Sequence, residues 1–222
     1  MSGELFIVAT PIGNRNDLSP RAAQTLKTAD RVLAEDTRVA RKLFDFPANV
    51  KLQPLHHHSS EKIFRGILMA LEAGEKIALV SDAGTPGISD PGNVLIEYLL
   101  RHEPELRIVP IPGPSAVTAL LSVSGFPTDR FLFLGFPPKK GQTAFWKEIN
   151  ETKNTVIFFE AVHRILKTLS AMLNNVGDVQ VCVGRELTKM FETIYRGKIS
   201  DVILKIKATP QKGEYVIAVR RR

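Results

Sequence analysis

Short apolar runs alternate with stretches whose apolar residues recur at helical spacing, and this alternation constrains the fold more than any other feature. Residues 4–9 read as a buried strand. Ser19-Pro20 then opens a helix, with Ser19 as N-cap and Pro20 in the first turn. Residues 31–34 read as a second strand. Asp36 caps a helix that runs to Phe44 and is stopped by Pro47, and residues 51–55 read as a third strand. Across 60–73, Ile63, Phe64, Ile67, Leu68 and Leu71 share one helical face, and Gly74 stands at the C-cap. Strand 76–81, helix 94–101 and strand 107–111 continue the series. Parallel strands need a crossover and hairpins do not. Strict alternation therefore predicts a mainly parallel sheet with helices on both faces.

Pro110, Pro112, Gly113 and Pro114 break the pattern and set the expected boundary: residues 1–113 form one α/β domain and 114–222 a second. Beyond it lie an apolar helix 115–124, strand 131–135, a polar helix ending near Glu151, strand 155–160 and helix 163–173. Strands 179–183 and 191–196, helix 200–206 and strand 214–219 follow. Two adjacent strands without an intervening helix predict a mixed sheet.

Hydrophobic residues make up 44% and charged residues 24%, a globular and not a disordered composition. The net charge of +7 fits a polyanionic partner such as nucleic acid, with a solvated basic surface as the alternative. Part of the excess sits in Arg220, Arg221 and Arg222, where a frayed tail is the simpler reading. The single cysteine, Cys182, has no partner for an internal disulfide and lies in an apolar run, as expected of an inert buried thiol in a reducing compartment. The first apolar run is too short for a signal peptide, and no run of about 18 apolar residues offers a membrane span. A cytoplasmic location is the expectation.

The chemistry is expected in loops that directly follow strands, where α/β sheets bind ligands. The first is Thr10-Pro11-Ile12-Gly13-Asn14. The second, Ser81 to Gly92, packs three glycines, two prolines and two aspartates (Asp82 and Asp90) into one stretch, so backbone can approach a ligand along a stiff loop. The third, Pro112-Gly113-Pro114-Ser115-Ala116, combines a hinge with a helix N-terminus. The last two, Phe158 to Arg164 and Gly184 to Lys189, place charges just past buried strands; a surface salt-bridge cluster is the bland alternative. Other site signatures are missing. There is no G-x-G-x-x-G, no complete P-loop around Gly197-Lys198 and no G-x-S-x-G elbow. His56-His57-His58 has no Cys/His partners at ligand spacing, so no metal is expected.

Taken together, several motifs resemble one family. They are Val8 to Asn14 with Asp17 to Ala22, Ala34-Glu35-Asp36-Thr37-Arg38, the Ser81–Gly92 loop, Pro112 to Ala116, Phe159-Glu160 with His163-Arg164, and Arg185 to Lys189 with Glu192-Thr193. In this collinear order they resemble the tetrapyrrole-methylase superfamily, and within it the branch that methylates small-subunit ribosomal RNA. The resemblance implies two α/β domains with S-adenosylmethionine in the interdomain cleft, a homodimer, and methylation of a cytidine ribose 2′-hydroxyl in the decoding region. It implies cofactor contacts from Ile12, Gly13, Asp82, Ala83, Gly84, Thr85, Ile88, Ser89, Ser115, Ala116, Phe159, Glu160, Glu186, Leu187 and Glu214. Two departures from the family pattern are visible. Ser59-Ser60 stand between the histidines and Glu61, where relatives carry asparagine-glutamate directly. Relatives also commonly continue into a small helical extension beyond the position of Arg222.

A ribose hydroxyl is a weak nucleophile, so a base or acceptor is expected to take its proton. Glu160, His163, Glu186 and Asp36 are the candidates, with Glu160 favoured because it ends a strand beside a cofactor loop. Arg38, Arg164, Arg185 and Lys189 are expected to grip phosphates. Two alternatives stay open on sequence: a small-molecule methyltransferase acting on a tetrapyrrole, and a non-catalytic RNA-binding module.

Overall fold

A computed structural model describes residues 3–56, 58–210 and 212–221. It divides into two compact units, Met1–Ser115 and Ala116–Arg222. His57 of the histidine run and Arg222 of the basic tail lie outside the described residues.

In the first unit the elements follow the chain as β1 (Glu4–Val8), α1 (Pro20–Thr28), β2 (Arg31–Ala34), α2 (Thr37–Leu43), β3 (Lys51–Pro54), α3 (Glu61–Glu72), β4 (Lys76–Val80), α4 (Asn93–His102) and β5 (Arg107–Ile111). A short 3-10 turn, Arg15–Asp17, lies between β1 and α1. All five strands are parallel, in the order β3-β2-β4-β1-β5. Successive side chains of a strand point to opposite faces. Here Leu5, Leu33, Ile77 and Leu79 pack with Phe64, Ile67, Leu71, Leu95 and Leu99 of α3 and α4. Val8, Val32, Ala34, Ala78 and Val80 pack with Ala22, Leu26 and Ala40 of α1 and α2. Both faces are therefore covered, which is why these strands read as unbroken apolar runs. The caps expected from sequence are made: the Ser19 hydroxyl accepts from Ala22 N–H and the Asp36 carboxylate from Arg38 N–H.

The second unit contains α5 (Ala116–Ser124), β6 (Phe131–Phe133), α6 (Thr143–Glu151), β7 (Thr155–Ala161), α7 (Ile165–Val176), β8 (Gln180–Arg185), β9 (Thr193–Lys198), α8 (Ile199–Lys207) and β10 (Glu214–Val219). The order is β6-β7-β10-β8-β9, and only β6 and β7 run parallel, so the sheet is mixed. Val156, Phe158, Val181, Val183, Ile217 and Val219 form its main core with Phe145, Trp146, Leu169, Met172, Val202 and Ile206. On the other face α5 brings Leu120 so close to Gly184 that a Cβ at that glycine would stand 2.9 Å from its Cδ1. Cys182 is fully buried, and burial raises its thiol pKa, in keeping with an inert side chain.

Two boundaries differ from the sequence reading for a visible reason. Strand β9 starts at Thr193, not 191, because residues 186–192 close a tight loop through Lys189 N–H to Glu186 O and Glu192 N–H to Lys189 O. That loop leaves Met190 and Phe191 at the surface. Helix α7 starts at Ile165, not 163, because Arg164 N–H closes a turn onto Ala161 O.

Candidate active site

In the first unit, β1 runs on to strand β2 on one side and β4 runs on to β5 on the other, so the chain reverses its direction across the sheet beside the β1–β4 pair. A doubly wound sheet opens a crevice beyond the carboxyl ends of strands at such a point. The loops following β4, β1 and β5 meet there. Thr10 and Gly84 form an isolated antiparallel bridge, with Thr10 N–H to Gly84 O at 2.8 Å and Gly84 N–H to Thr10 O at 3.2 Å. The buried Thr10 hydroxyl donates to Ser81 O at 3.3 Å or to Gly84 O at 3.4 Å, and the Ser81 hydroxyl to Ala83 O at 3.2 Å. Gly113 of the third loop runs so close to β1 that a Cβ there would lie 2.9 Å from that of Ala9. Gly84 has φ +81, a left-handed value that an L side chain adopts at a cost.

This knot explains the glycines. Thr10 and Ser81 hold the loops together, a role the loop composition does not reveal. The available signal was a hydroxyl at each strand end, flanking a glycine-containing loop. Around the knot Gly13, Asp82, Ala83, Ile88 and Ser89 are exposed, Thr85 and Ser115 half-buried, and Ile12 buried. Asp82 Oδ1 accepts from Asp36 N–H at 3.2 Å, which joins the ends of β2 and β4. Beside that contact lies a cavity of about 460 Å³ lined by Glu35, Asp36, Thr37, Arg38, Pro54, His56 and Asp82.

Asp36 fits poorly with the role of base. Hydrogen bonds from the Arg38 side chain, and then from the Arg38 N–H, hold its carboxyl well below the usual carboxylate range. A carboxylate stabilised in its charged form is a weak proton acceptor. Arg38 pairs with it at 2.7 Å yet remains 86% exposed.

In the second unit, the site residues expected from sequence turn largely inward. The side chain of Glu160 is 0% exposed. Its Oε2 accepts from the Thr168 hydroxyl, and Oε1 accepts from Ala161 N–H at 2.8 Å and pairs with Arg164 Nε at 3.4 Å. A buried carboxylate with both oxygens occupied is poorly placed to take a substrate proton. Arg164 points the same way, its Nη2 donating to Pro137 O at 2.8 Å. Arg185 is 8% exposed and donates through Nε to Lys212 O at 2.8 Å.

Lys189 bridges two carboxylates, Glu186 at 2.8 Å and Glu214 at 2.9 Å. Burial would raise the Glu186 pKa, but hydrogen bonds from Lys189 and Glu214 N–H, and the neighbouring positive charges, outweigh it and lower the value. For Lys189 burial would lower the pKa, and the same contacts outweigh it and raise the value. Glu186 is thus a poor base, and Lys189 has its charge matched before any phosphate arrives. Leu187 is buried, Phe159 half-buried and Ala116 half-buried. His163 is exposed and makes no ion pair among the described residues. The structure therefore gathers the first unit's loops into one assembly and leaves His163 the most exposed of the four base candidates.

The model for tetrapyrrole (corrin/porphyrin) methylases matches residues 4–203, nearly the whole chain. The chain belongs to that family. The family fold is plain in a solved structure, that of the methyltransferase CobJ, which superposes with a TM-score of 0.73 at 19% identity over 99% of this chain and 94% of that one. Among family members, a protein of Thermotoga maritima named ribosomal RNA small subunit methyltransferase I is 40% identical over 98% of this chain and 98% of its own length. A protein of the same name from Halalkalibacterium halodurans is 41% identical over 98% of this chain and 75% of its own. Among the described residues no helix is long and apolar enough to cross a membrane.

Proposed function

We propose that this chain uses S-adenosylmethionine to methylate a cytidine ribose 2′-hydroxyl in the decoding region of small-subunit ribosomal RNA. The observation that carries the reading is identity of about two residues in five, along 98% of the chain, to relatives named for that RNA. The Thr10–Gly84 knot supports it. Gly13, Ala83 and Gly113 present exposed backbone, Asp82 an exposed carboxylate and Ile88 an exposed apolar side chain, the mixture that a nucleoside joined to an amino acid needs. Those residues would hold the cofactor, whose sulfonium supplies an electrophilic methyl group. The buried Thr10 and Ser81 hydroxyls keep the loops rigid, so the acceptor oxygen can be positioned without reorganisation.

His163 is the residue that would take the ribose proton, because its exposed ring is the accessible candidate left by the geometry of Glu160, Glu186 and Asp36. Phosphate grip would come from Arg38 with Arg41 and Lys42 on the exposed side of α2, and from Arg15, whose guanidinium docks on Lys42 O at 2.5 Å. A homodimer, from family resemblance, and a cytoplasmic location, from the sequence's lack of a signal-peptide or membrane-span pattern, complete the proposal.

The test is calorimetry with S-adenosylmethionine followed by tritiated methyl transfer to small ribosomal subunits lacking native methylation. Label on a single cytidine ribose supports the proposal; cofactor binding with label on a tetrapyrrole and none on RNA overturns it. His163→Gln should lower turnover on the order of a hundredfold, as loss of a general base does, with cofactor affinity kept. Unchanged turnover removes His163 from the mechanism. Sedimentation of the purified chain reads the dimer directly.

A further inference from the structure

The second unit holds a charged strut that the proposed chemistry does not use. Glu160 is locked in the core by Thr168 and Ala161 N–H and pairs with Arg164. Arg164 in turn reaches out to the loop after β6, donating to Pro137 O at 2.8 Å and Pro138 O at 3.4 Å. Gln142 Nε2 holds Pro138 O from the other side at 2.9 Å, and Phe159 N–H holds Gly135 O at 2.7 Å. Gly135 and Gly141, at φ +62 and +69, turn the chain at the two ends. A loop fixed at this many points holds its surface side chains in set positions.

What it presents is an aromatic ring followed by two cations. Phe136 is 53% exposed although it is a large apolar side chain. Its ring stands 5.3 Å from that of Phe159, which in turn stands 5.0 Å from Phe133, so it is backed by rings and held in orientation. Lys139 and Lys140 follow at the surface, Arg130 precedes the strand, and residues 130–141 contain no acidic residue. A segment of one charge sign set against its own copy repels itself, which disfavours a second protomer as the occupant. An unpaired nucleobase with its phosphates satisfies both features: the base stacks on the ring and the lysines meet the backbone.

We propose that Phe136, with Lys139 and Lys140, is a stacking and phosphate site for an unpaired nucleotide of the RNA substrate, and that Glu160 and Arg164 are its positioning residues. The inference rests on RNA being the substrate, as proposed above. A labelled single-stranded oligoribonucleotide carrying the target sequence serves as probe, beside calorimetry with S-adenosylmethionine and a thermal melt to confirm folding. Phe136→Ala should weaken RNA binding on the order of tenfold while Phe136→Trp restores it, as expected for loss and return of one stacked base. Lys139→Ala with Lys140→Ala should reduce the slope of log affinity against log salt by about 1.4, at roughly 0.7 per single-strand phosphate. Cofactor affinity should be unchanged in all three. Wild-type RNA affinity and salt slope in the variants would overturn this site and leave the methyltransferase reading standing. Failure of the unaltered chain to bind or methylate RNA would overturn both. Dissociation of a dimer by Phe136→Ala, with RNA binding intact, would make the ring a subunit contact instead.

Discussion

The charged loops beyond the two sheets behave in opposite ways. In the first unit the polar groups that tie the loops together are hydroxyls and backbone, buried at Thr10 and Ser81, and the exposed surface is left to glycine, Asp82 and Ile88. In the second unit the charged side chains themselves are the ties: Glu160 to Arg164, Arg185 to Lys212 O, and Lys189 to Glu186 and Glu214. A charge placed just past a buried strand is therefore not evidence of chemistry. A loop whose backbone is already satisfied can leave side chains for a ligand, whereas one that closes through its own charged groups has spent them on structure.

The sharpest way to break this contrast is Glu160→Ala. If the carboxylate is structural, its removal leaves Arg164 and Thr168 without their buried partner and should cost about 3 kcal/mol of stability in urea unfolding. Cofactor affinity per folded molecule should change little. Turnover lost at saturating RNA, with stability and RNA affinity intact, would restore Glu160 to the reaction.

A pair of glycine variants sharpens the contrast next. Gly84→Ala puts a side chain at φ +81 in the first unit and should cost roughly 1–2 kcal/mol together with a clear loss of cofactor affinity. Gly213→Ala, at φ +97 and against the Glu186 side chain, should cost at least as much stability and leave cofactor affinity nearer normal. Equal effects on the cofactor from both would erase the distinction.

The pH dependence should be smaller and localised. Glu186 has a lowered pKa in the folded state, so its contribution is present above the unfolded carboxylate value and fades as pH falls through the lower, folded value. Lys189 has a raised pKa, so its contribution is present below the unfolded lysine value and fades as pH rises through the folded one. Stability measured from pH 7 down to 3 should therefore fall less steeply in Glu186→Gln than in the parent chain. Parallel curves would show that the Glu186 ion pair contributes nothing there.

The smallest effect is expected at Tyr215, whose hydroxyl is buried with no hydrogen-bond partner among the described residues and whose pKa burial raises. Tyr215→Phe removes an unsatisfied group, so stability should hold or rise by up to about 1 kcal/mol, read from the melting curve.

Much of this was legible from sequence. Ser19 and Asp36 announce their helices because a short polar side chain before an amphipathic run has one favourable use. The strands of the first sheet announce themselves because both faces are covered, so every residue of Val32 to Ala34 or Ile77 to Val80 is apolar. Strand β9 was misplaced for the converse reason: Met190 and Phe191 carry a strand-like apolar signal, yet they are 91% and 71% exposed on a loop closed by Glu186, Lys189 and Glu192. The first unit's proposed cofactor loops are visible as glycine and proline clusters, because backbone conformation is written locally. The roles of Glu160, Arg164, Arg185 and Lys189 were not, because whether a charge is available depends on partners far along the chain. Arg185 meets the carbonyl of Lys212, and Lys189 meets Glu214.

Sequence alone thus determined the α/β class, the parallel and mixed sheets, the helix caps and the family, since periodicity, capping and turn chemistry act over a few residues and the family motifs run in collinear order. Only the tertiary structure decided which charged residues remain for chemistry. It buried Glu160, bound Arg164 to the Pro137–Pro138 loop and left Phe136 and His163 at the surface. The physical reason is that desolvation and pairing are properties of a folded neighbourhood, and no local pattern encodes them.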